Sequence, residues 1–307
     1  AHRIRTGVKQ STYNAEERYR IDRGVQLILA PKRAPHDGRG LLKAYSHQYL
    51  ANLPPGSPGR KRNLLDLARF LTYAVKTCGA PLKWLPGDGD DLAALIGLRE
   101  SASKPTLPVK PEQLLQLLES LDANPELRLA VALVGLYGLR PAELLALRVE
   151  EGYLYVAPVK RNKATANQPK QDRLVLPLDL QALPGEGARV LQLYASGLVK
   201  LPTSIRKAKD FKGCGAAFRQ YLDRHPCWQT LVAMTPDLVP YSLRHGYAWR
   251  GVKHYERSMP MRDLAALMGH DVRTHMRHYG SWTDDKGLKE SALRVVGHLM
   301  TVPSQAG

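Results

Sequence analysis

Apolar residues recur at helical spacing along most of the chain. Leu64, Leu65, Leu67, Ala68, Leu71 and Val75 fall on one helix face, with Arg60, Lys61, Arg62 and Arg69 near one end. Leu41 to Leu50 reads as a helix that stops before the turn signal Pro54-Pro55-Gly56-Ser57-Pro58-Gly59, and Asp91 to Leu98 as a further short helix. Leu27-Ile28-Leu29, closed by Pro31 and Pro35, is an apolar run that the pattern assigns to no element. Leu114, Leu115, Leu117, Leu118 and Leu121 give a helix after Pro111 one apolar face, and Leu127 to Tyr137 is apolar enough for a buried core helix. Gly138 ends that helix, and Pro141 starts another that the pattern carries through Leu147. Tyr153 to Val156 and Leu174 to Leu176 read as strands, separated by a polar stretch holding Lys160, Arg161, Lys163 and Lys170. From Phe211 onward the pattern is mostly helical.

The stretch Ser101 to Pro111 is rich in Pro and small residues, and marks a domain boundary near Lys104. The expected fold is mainly α with a small antiparallel β-sheet (α+β): a helical first domain over 1–104 and a second domain, carrying the sheet near its start, over 105–307. Charge adds information that the pattern lacks. Lys and Arg number 45 against 28 Asp and Glu, a net +17. Residues 1–104 hold 18 basic and 9 acidic residues, and the remainder 27 and 19. Excess positive charge on both halves suggests two surfaces facing one polyanion rather than a single basic tail. No segment approaches the roughly 20 apolar residues of a membrane span, and the N-terminus shows no secretory signal. Cys78, Cys214 and Cys227 are odd in number and lack a CxxC spacing, which suits a reducing cytoplasm and argues against a disulfide framework or structural zinc.

Four residues carry the candidate chemistry: Arg140, Arg244, His270 and Tyr279. Two guanidiniums can clamp phosphate oxygens, and a phenol can become a covalent nucleophile if its neighbours overcome a pKa of about 10. Such a set can attack a phosphodiester without a metal. His270, His275 and His278 invite a zinc reading, but no carboxylate or cysteine completes a familiar ligand spacing, and Arg273 and Arg277 are interleaved. Each residue also has a structural reading. Arg140 alone reads best as a partner of Glu143 or a helix cap, Lys160 as a solvated hairpin lysine, His270 as a core or cap histidine, and Tyr279 as a surface aromatic.

Four segments in order carry a shared pattern. They are Gly138-Leu139-Arg140-Pro141 through Leu147, Gly152 to Val156 followed by Lys160, Ser242-Leu243-Arg244-His245-Gly246-Tyr247-Ala248, and Leu267-Met268-Gly269-His270 with Tyr279 nine residues beyond the histidine. Together they resemble the boxes of the tyrosine recombinases, the phage-integrase-like family, over roughly residues 105 to 285. The resemblance implies that Tyr279 attacks a DNA phosphate, leaving a 3′-phosphotyrosine and a free 5′-hydroxyl. It implies that Arg140 and Arg244 hold the non-bridging oxygens, that His270 bonds the scissile phosphate, and that Lys160 protonates the departing oxygen, with Lys163 as the alternative. The bond energy is kept in the phosphotyrosine, so neither metal nor ATP nor another cofactor is implied.

The second arginine box usually reads His-x-x-Arg, and here Tyr241 holds the histidine position. A tyrosine can donate to phosphate but is a poor base near neutral pH. His245, also in that box, fits a structural position. The resemblance further implies a core-site-binding first domain, a catalytic second domain, and a homotetramer joining two double-stranded DNA recombination sites through a Holliday junction. It implies a cytoplasmic protein of a bacterium, phage or mobile element, and it identifies no accessory DNA-bending protein. Leu288, Ala292, Leu293, Val296 and Leu299 suit an amphipathic helix that docks on a neighbouring protomer or packs on its own domain, and Arg60-Lys61-Arg62 suits a backbone-tracking surface or a solvated helix end. A type IB topoisomerase and a DNA-binding relative without catalysis stand as the alternatives.

Overall fold

The computed structural model describes residues 2–6, 8, 10–99, 106–159, 171–254 and 258–279, apart from the side chains of Ser11, His278 and Tyr279. The chain divides into two compact units, Ala1–Lys104 and Pro105–Gly307.

In the first unit, short helical turns lead into α1 (Arg18–Ile28), which absorbs the run Leu27-Ile28 that the apolar pattern left unassigned. α2 (Gly38–Tyr49) starts where the Asp37 carboxylate accepts from Gly40 N at 2.6 Å. α3 (Pro58–Cys78) begins with Ser57 as N-cap and Pro58 in its first turn, a proline placed where the missing N–H has no intrahelical partner to lose. α4 (Gly89–Ile96) opens on a reciprocal pair of caps between Asp88 and Asp91. The three longest helices bury Leu41, Leu42, Tyr45, Leu64, Leu67 and Leu71 against one another. Tyr45 keeps its hydroxyl satisfied on Asn63 Oδ1 at 3.0 Å, and burial pushes that phenol up to about 12.

Arg60 corrects an expectation. It donates from Nε to the Leu95 carbonyl (2.8 Å), from Nη1 to that of Leu50 (3.0 Å) and from Nη2 to Ser46 Oγ (2.7 Å). Its guanidinium therefore joins α2, α3 and α4 rather than facing a polyanion, and only Lys61 and Arg62 of that run are exposed. Charge-assisted hydrogen bonds are worth about 1.5–3 kcal/mol each when both partners are held. Arg60→Ala is expected to destabilise this unit by about 2–3 kcal/mol. Hydrogen exchange on the full chain will show the loss as faster exchange confined to residues 38–96.

In the second unit, α5 (Pro111–Glu119) and α6 (Pro125–Tyr137) are followed by a single 3-10 turn, Pro141–Leu145. The helix expected from Pro141 through Leu147 is thus five residues of tighter turn, and Leu147 already belongs to a strand. β1 (Leu147–Glu150), β2 (Tyr153–Val156) and β3 (Arg173–Val175) form an antiparallel sheet in that order. Then come α7 (Glu186–Ser196), α8 (Phe211–Asp223), α9 (Pro226–Met234), α10 (Ser242–Lys253), α11 (Met261–Met268) and α12 (Val272–Tyr279). Leu127 and Leu129 to Tyr137 of α6 are all buried, so this helix is the centre of the core. α10 lies against it through Arg250, which reaches the Gly135 carbonyl at 2.6 Å and that of Leu178 at 3.2 Å. α8 packs on the 3-10 turn, with Cys214 Sγ 3.3 Å from the Pro141 carbonyl. Among the described residues no helix is long and apolar enough to cross a membrane.

The sheet alternates against the simple apolar-inside pattern. Val175 is 1% exposed, whereas Leu174 and Leu176 are each 36% exposed. Arg173 shares the inner face with Val175, because successive side chains of a strand point to opposite faces.

Candidate active site

Gly138 sets up the site. It closes α6 in the left-handed conformation (φ 64), and a Cβ there would meet the Tyr247 ring at 2.5 Å. Glycine is therefore required both by the turn and by the approach of α10. The chain emerges at Arg140, whose extended backbone starts the 3-10 turn.

Glu143, three residues on, holds the site together. Its side chain is only 4% exposed, and its carboxylate accepts from Arg140 N at 2.8 Å, Arg140 Nη1 at 2.6 Å and Arg173 Nη2 at 2.7 Å. Arg244 Nη1 lies 3.8 Å from the same carboxylate. Burial alone pushes the Glu143 carboxyl up. The guanidiniums of Arg173, Arg244 and Arg140 outweigh that and hold it below its ordinary range. The backbone N–H at the start of this turn faces the protein's own carboxylate.

The three guanidiniums share a second anchor. The last carbonyls of a helix have no intrahelical partner and carry the negative end of its dipole. At the end of α11 these are taken in succession: Arg173 Nη1 donates to the Leu267 carbonyl, Arg244 Nη2 to that of Met268, and Arg140 Nη2 to that of Gly269 at 3.4 Å. Arg244 Nη1 also donates to the Gly138 carbonyl. Gly269 ends α11 in the left-handed conformation (φ 67) and hands the chain to His270, whose N–H is bonded to the Ala265 carbonyl at 3.1 Å. The His270 ring lies 5.4 Å from that of buried His275 on α12.

The two arginines differ in reach. Arg140 keeps a third of its side chain exposed, while Arg244 is fully buried. Of the Arg244 guanidinium, Nε is buried with no hydrogen-bond partner among the described residues. Burial works against the Arg140 charge, yet Glu143 and Tyr241 together raise its pKa above the ordinary arginine value. Tyr241 lies just ahead of α10, 38% exposed, with its hydroxyl in hydrogen-bonding reach of Arg140 and its ring edge-on to His245 at 5.3 Å.

The fold thus brings Arg140, Tyr241, Arg244 and the His270 turn together around Glu143. Both structural readings of Arg140 hold as well, since it pairs with Glu143 and caps the end of α11. Lys160 and Lys163 lie outside the described residues, between β2 and β3. So do the expected C-terminal helix over 288–299 and the Tyr279 side chain, although Tyr279 ends α12. Two site residues were missing from the candidate set, Glu143 and Arg173. Glu143 was legible at a spacing of three from Arg140. Arg173 gave only the weak signal of a basic residue directly before an apolar strand.

No family model matches the chain, and no curated protein does. Solved structures do. One, the Tn1549 transposon integrase in complex with transposon right end DNA, superposes with a TM-score of 0.55 at 15% identity over 96% of each chain. The lambda integrase bound to DNA matches with a TM-score of 0.54 at 17% identity, over 91% of this chain and 92% of that one. A lambda integrase dimer bound to a COC' core site gives 0.53 at 16% identity, over 92% and 91%. The chain shares its fold with these integrases. At these identities the likeness is one of architecture.

Proposed function

We propose that the protein is a site-specific tyrosine recombinase, cutting and rejoining double-stranded DNA through a 3′-phosphotyrosine at Tyr279. The observation that carries this reading is the gathering of Arg140, Arg244 and the His270 turn around the buried Glu143 carboxylate. Three sequence-distant segments meet there, in a fold shared with integrases solved on DNA.

In this reading Arg140, the partly exposed guanidinium, meets the scissile phosphate directly, with Tyr241 beside it. Arg244 acts from behind, through its charge and its Nε–H, on negative charge that builds as the nucleophile attacks. His270 donates to the phosphate. Lys160, or Lys163 in the same segment, protonates the leaving 5′-oxygen. The first unit binds the core site, and the second exchanges strands in a tetramer through a Holliday junction. Type IB relaxation of a single duplex is the competing reading, and mixing two differently labelled sites separates the two.

The test is covalent capture. A duplex library, randomised around a nick placed a few bases from each candidate cleavage position, releases the short 5′-hydroxyl fragment on cleavage and traps the intermediate. A DNA adduct mapped by mass spectrometry to the peptide holding Tyr279 is expected. Sequence-selective binding with no adduct sinks the reading and leaves a DNA-binding relative.

Tyr241 makes a second prediction. With no imidazole at this position, the proton of the nucleophile has no acceptor titrating near neutrality there, so single-turnover cleavage should keep rising with pH between 6 and 9. Tyr241→His supplies a base of pKa about 6.5, and is expected to raise cleavage at pH 7 by at least tenfold and to flatten the profile above about pH 7. A pH–rate profile of the two proteins decides it: identical curves remove Tyr241 from proton transfer.

A further inference from the structure

Arg173 belongs to none of the boxes, yet it touches the site at three points. It opens β3 on the inner face of the sheet, a position where an apolar side chain would ordinarily be packed. Its Nη2 donates to Glu143 Oε2 at 2.7 Å, and its Nη1 to the Leu267 carbonyl. Its Nε lies 2.7 Å from where a Cβ on Gly269 would sit, so the side chain is laid along the turn that precedes His270. The side chain is 14% exposed, and burial depresses its pKa in spite of Glu143. A charge in that setting is held by its two protein contacts, since both terminal nitrogens of the guanidinium donate to groups of the protein.

The placement has a further aspect. The segment carrying Lys160 and Lys163 leaves the sheet at the end of β2 and returns to it at Arg173. One residue therefore ties the root of that segment, the carboxylate that gathers the phosphate arginines, and the helix end that presents His270.

We infer that Arg173 is a positioning residue for strand cleavage: it bridges Glu143 to the α11 terminus and so fixes His270 and the root of the lysine-bearing segment relative to Arg140. The inference rests on the recombinase reading. It requires the fork of a guanidinium, since an ammonium is a single point of charge and cannot hold two acceptors this far apart in one plane. Arg173 itself does not contact the phosphate.

Three proteins test it: wild type, Arg173→Lys and Arg173→Met, the last keeping much of the buried volume. Both variants are expected to bind the captured DNA within about twofold of wild type, and to form the Tyr279 adduct about 10- to 100-fold more slowly in single turnover. Hydrogen exchange without DNA supplies a readout independent of activity. Amides of residues 266–271 should lose protection about tenfold while α6 keeps its own, whereas a general loss of stability would accelerate both. Full cleavage and unchanged protection in Arg173→Met overturn the inference, as does complete rescue by Arg173→Lys. Weakened DNA binding in proportion to the loss of cleavage also overturns it, by making Arg173 a binding residue. A wild type that binds specifically and forms no adduct defeats the recombinase reading instead, and the exchange data then still report whether Arg173 fixes the turn.

Discussion

A Tyr279→Phe variant is expected to bind the captured DNA with unchanged affinity and to yield no covalent adduct, a loss limited only by detection. The substitution removes one oxygen and no charge, so the electrostatic attraction that brings DNA to the protein is left intact. What disappears is the atom that forms the phosphoester. Arginine cannot deprotonate, and attack by histidine would form a phosphoramidate rather than a phosphoester, so the alternative nucleophile to exclude is the Tyr241 phenol beside Arg140. The wild type itself starts from an unfavourable position: a phenol with a pKa of about 10 is ionised about once in a thousand molecules at pH 7. Positive charge around the phosphate lowers that barrier in the transition state. Gel analysis after denaturation, with wild type and variant at equal occupancy of the same nicked duplex, measures the effect. An adduct in Tyr279→Phe would place the nucleophile elsewhere in the chain.

Glu143→Ala is expected to act on fold and chemistry together. Removing the carboxylate leaves Arg140, Arg173 and Arg244 facing one another, with Arg244 fully buried and Arg173 nearly so. Breaking a buried ion pair from one side costs about 3–5 kcal/mol. In a unit of this size that lowers the melting temperature by about 10 °C. Glu143→Gln should recover little, because its amide turns N–H donors toward guanidiniums that are themselves donors only. The pH dependence carries a definite sign. The folded Glu143 carboxyl titrates below its ordinary value of 4.5, so its contribution is fully present above about 4.5 and is lost as pH falls through the lower folded value. The stability difference between wild type and Glu143→Ala should therefore be constant from pH 7 to about 5 and shrink below that. A Glu143→Gln protein as stable as wild type at pH 7 would contradict this account.

Much of the candidate site was legible because its residues come in short boxes with distinctive neighbours. Arg140 sits between a helix-ending glycine and a proline, Arg244 enters a helix after a turn, and His270 follows a left-handed glycine. Each of these is local, and local signals survive in sequence. Arg173 is different, because its role is set by which face of a strand it occupies. Reading Leu174 to Leu176 as the strand suggests the leucines inside, and a shift of one residue reverses every side chain. In the fold Val175 is inside and the leucines are outside. β1 was missed for a related reason. Leu147-Arg148-Val149-Glu150 alternates cleanly, but the helix expected from Pro141 took in Leu147, and the three residues after it were assigned to no element. Arg60 shows the opposite error, where a basic run suggested a polyanion surface and one member instead ties three helices together.

The ratio of charges around Glu143 has a kinetic consequence. Among the described residues three guanidiniums surround one carboxylate, which leaves two formal positive charges at the end of α11. A phosphodiester brings one negative charge, whereas a phosphorane formed by a phenolate brings two until the leaving oxygen is protonated. In the proposed cleavage the resting protein is thus a better counterpart for the transition state than for the bound substrate, and such an imbalance raises the rate rather than the affinity. Read this way, Glu143 sets the valence of the site, and a second carboxylate there would tighten the fold while slowing the reaction.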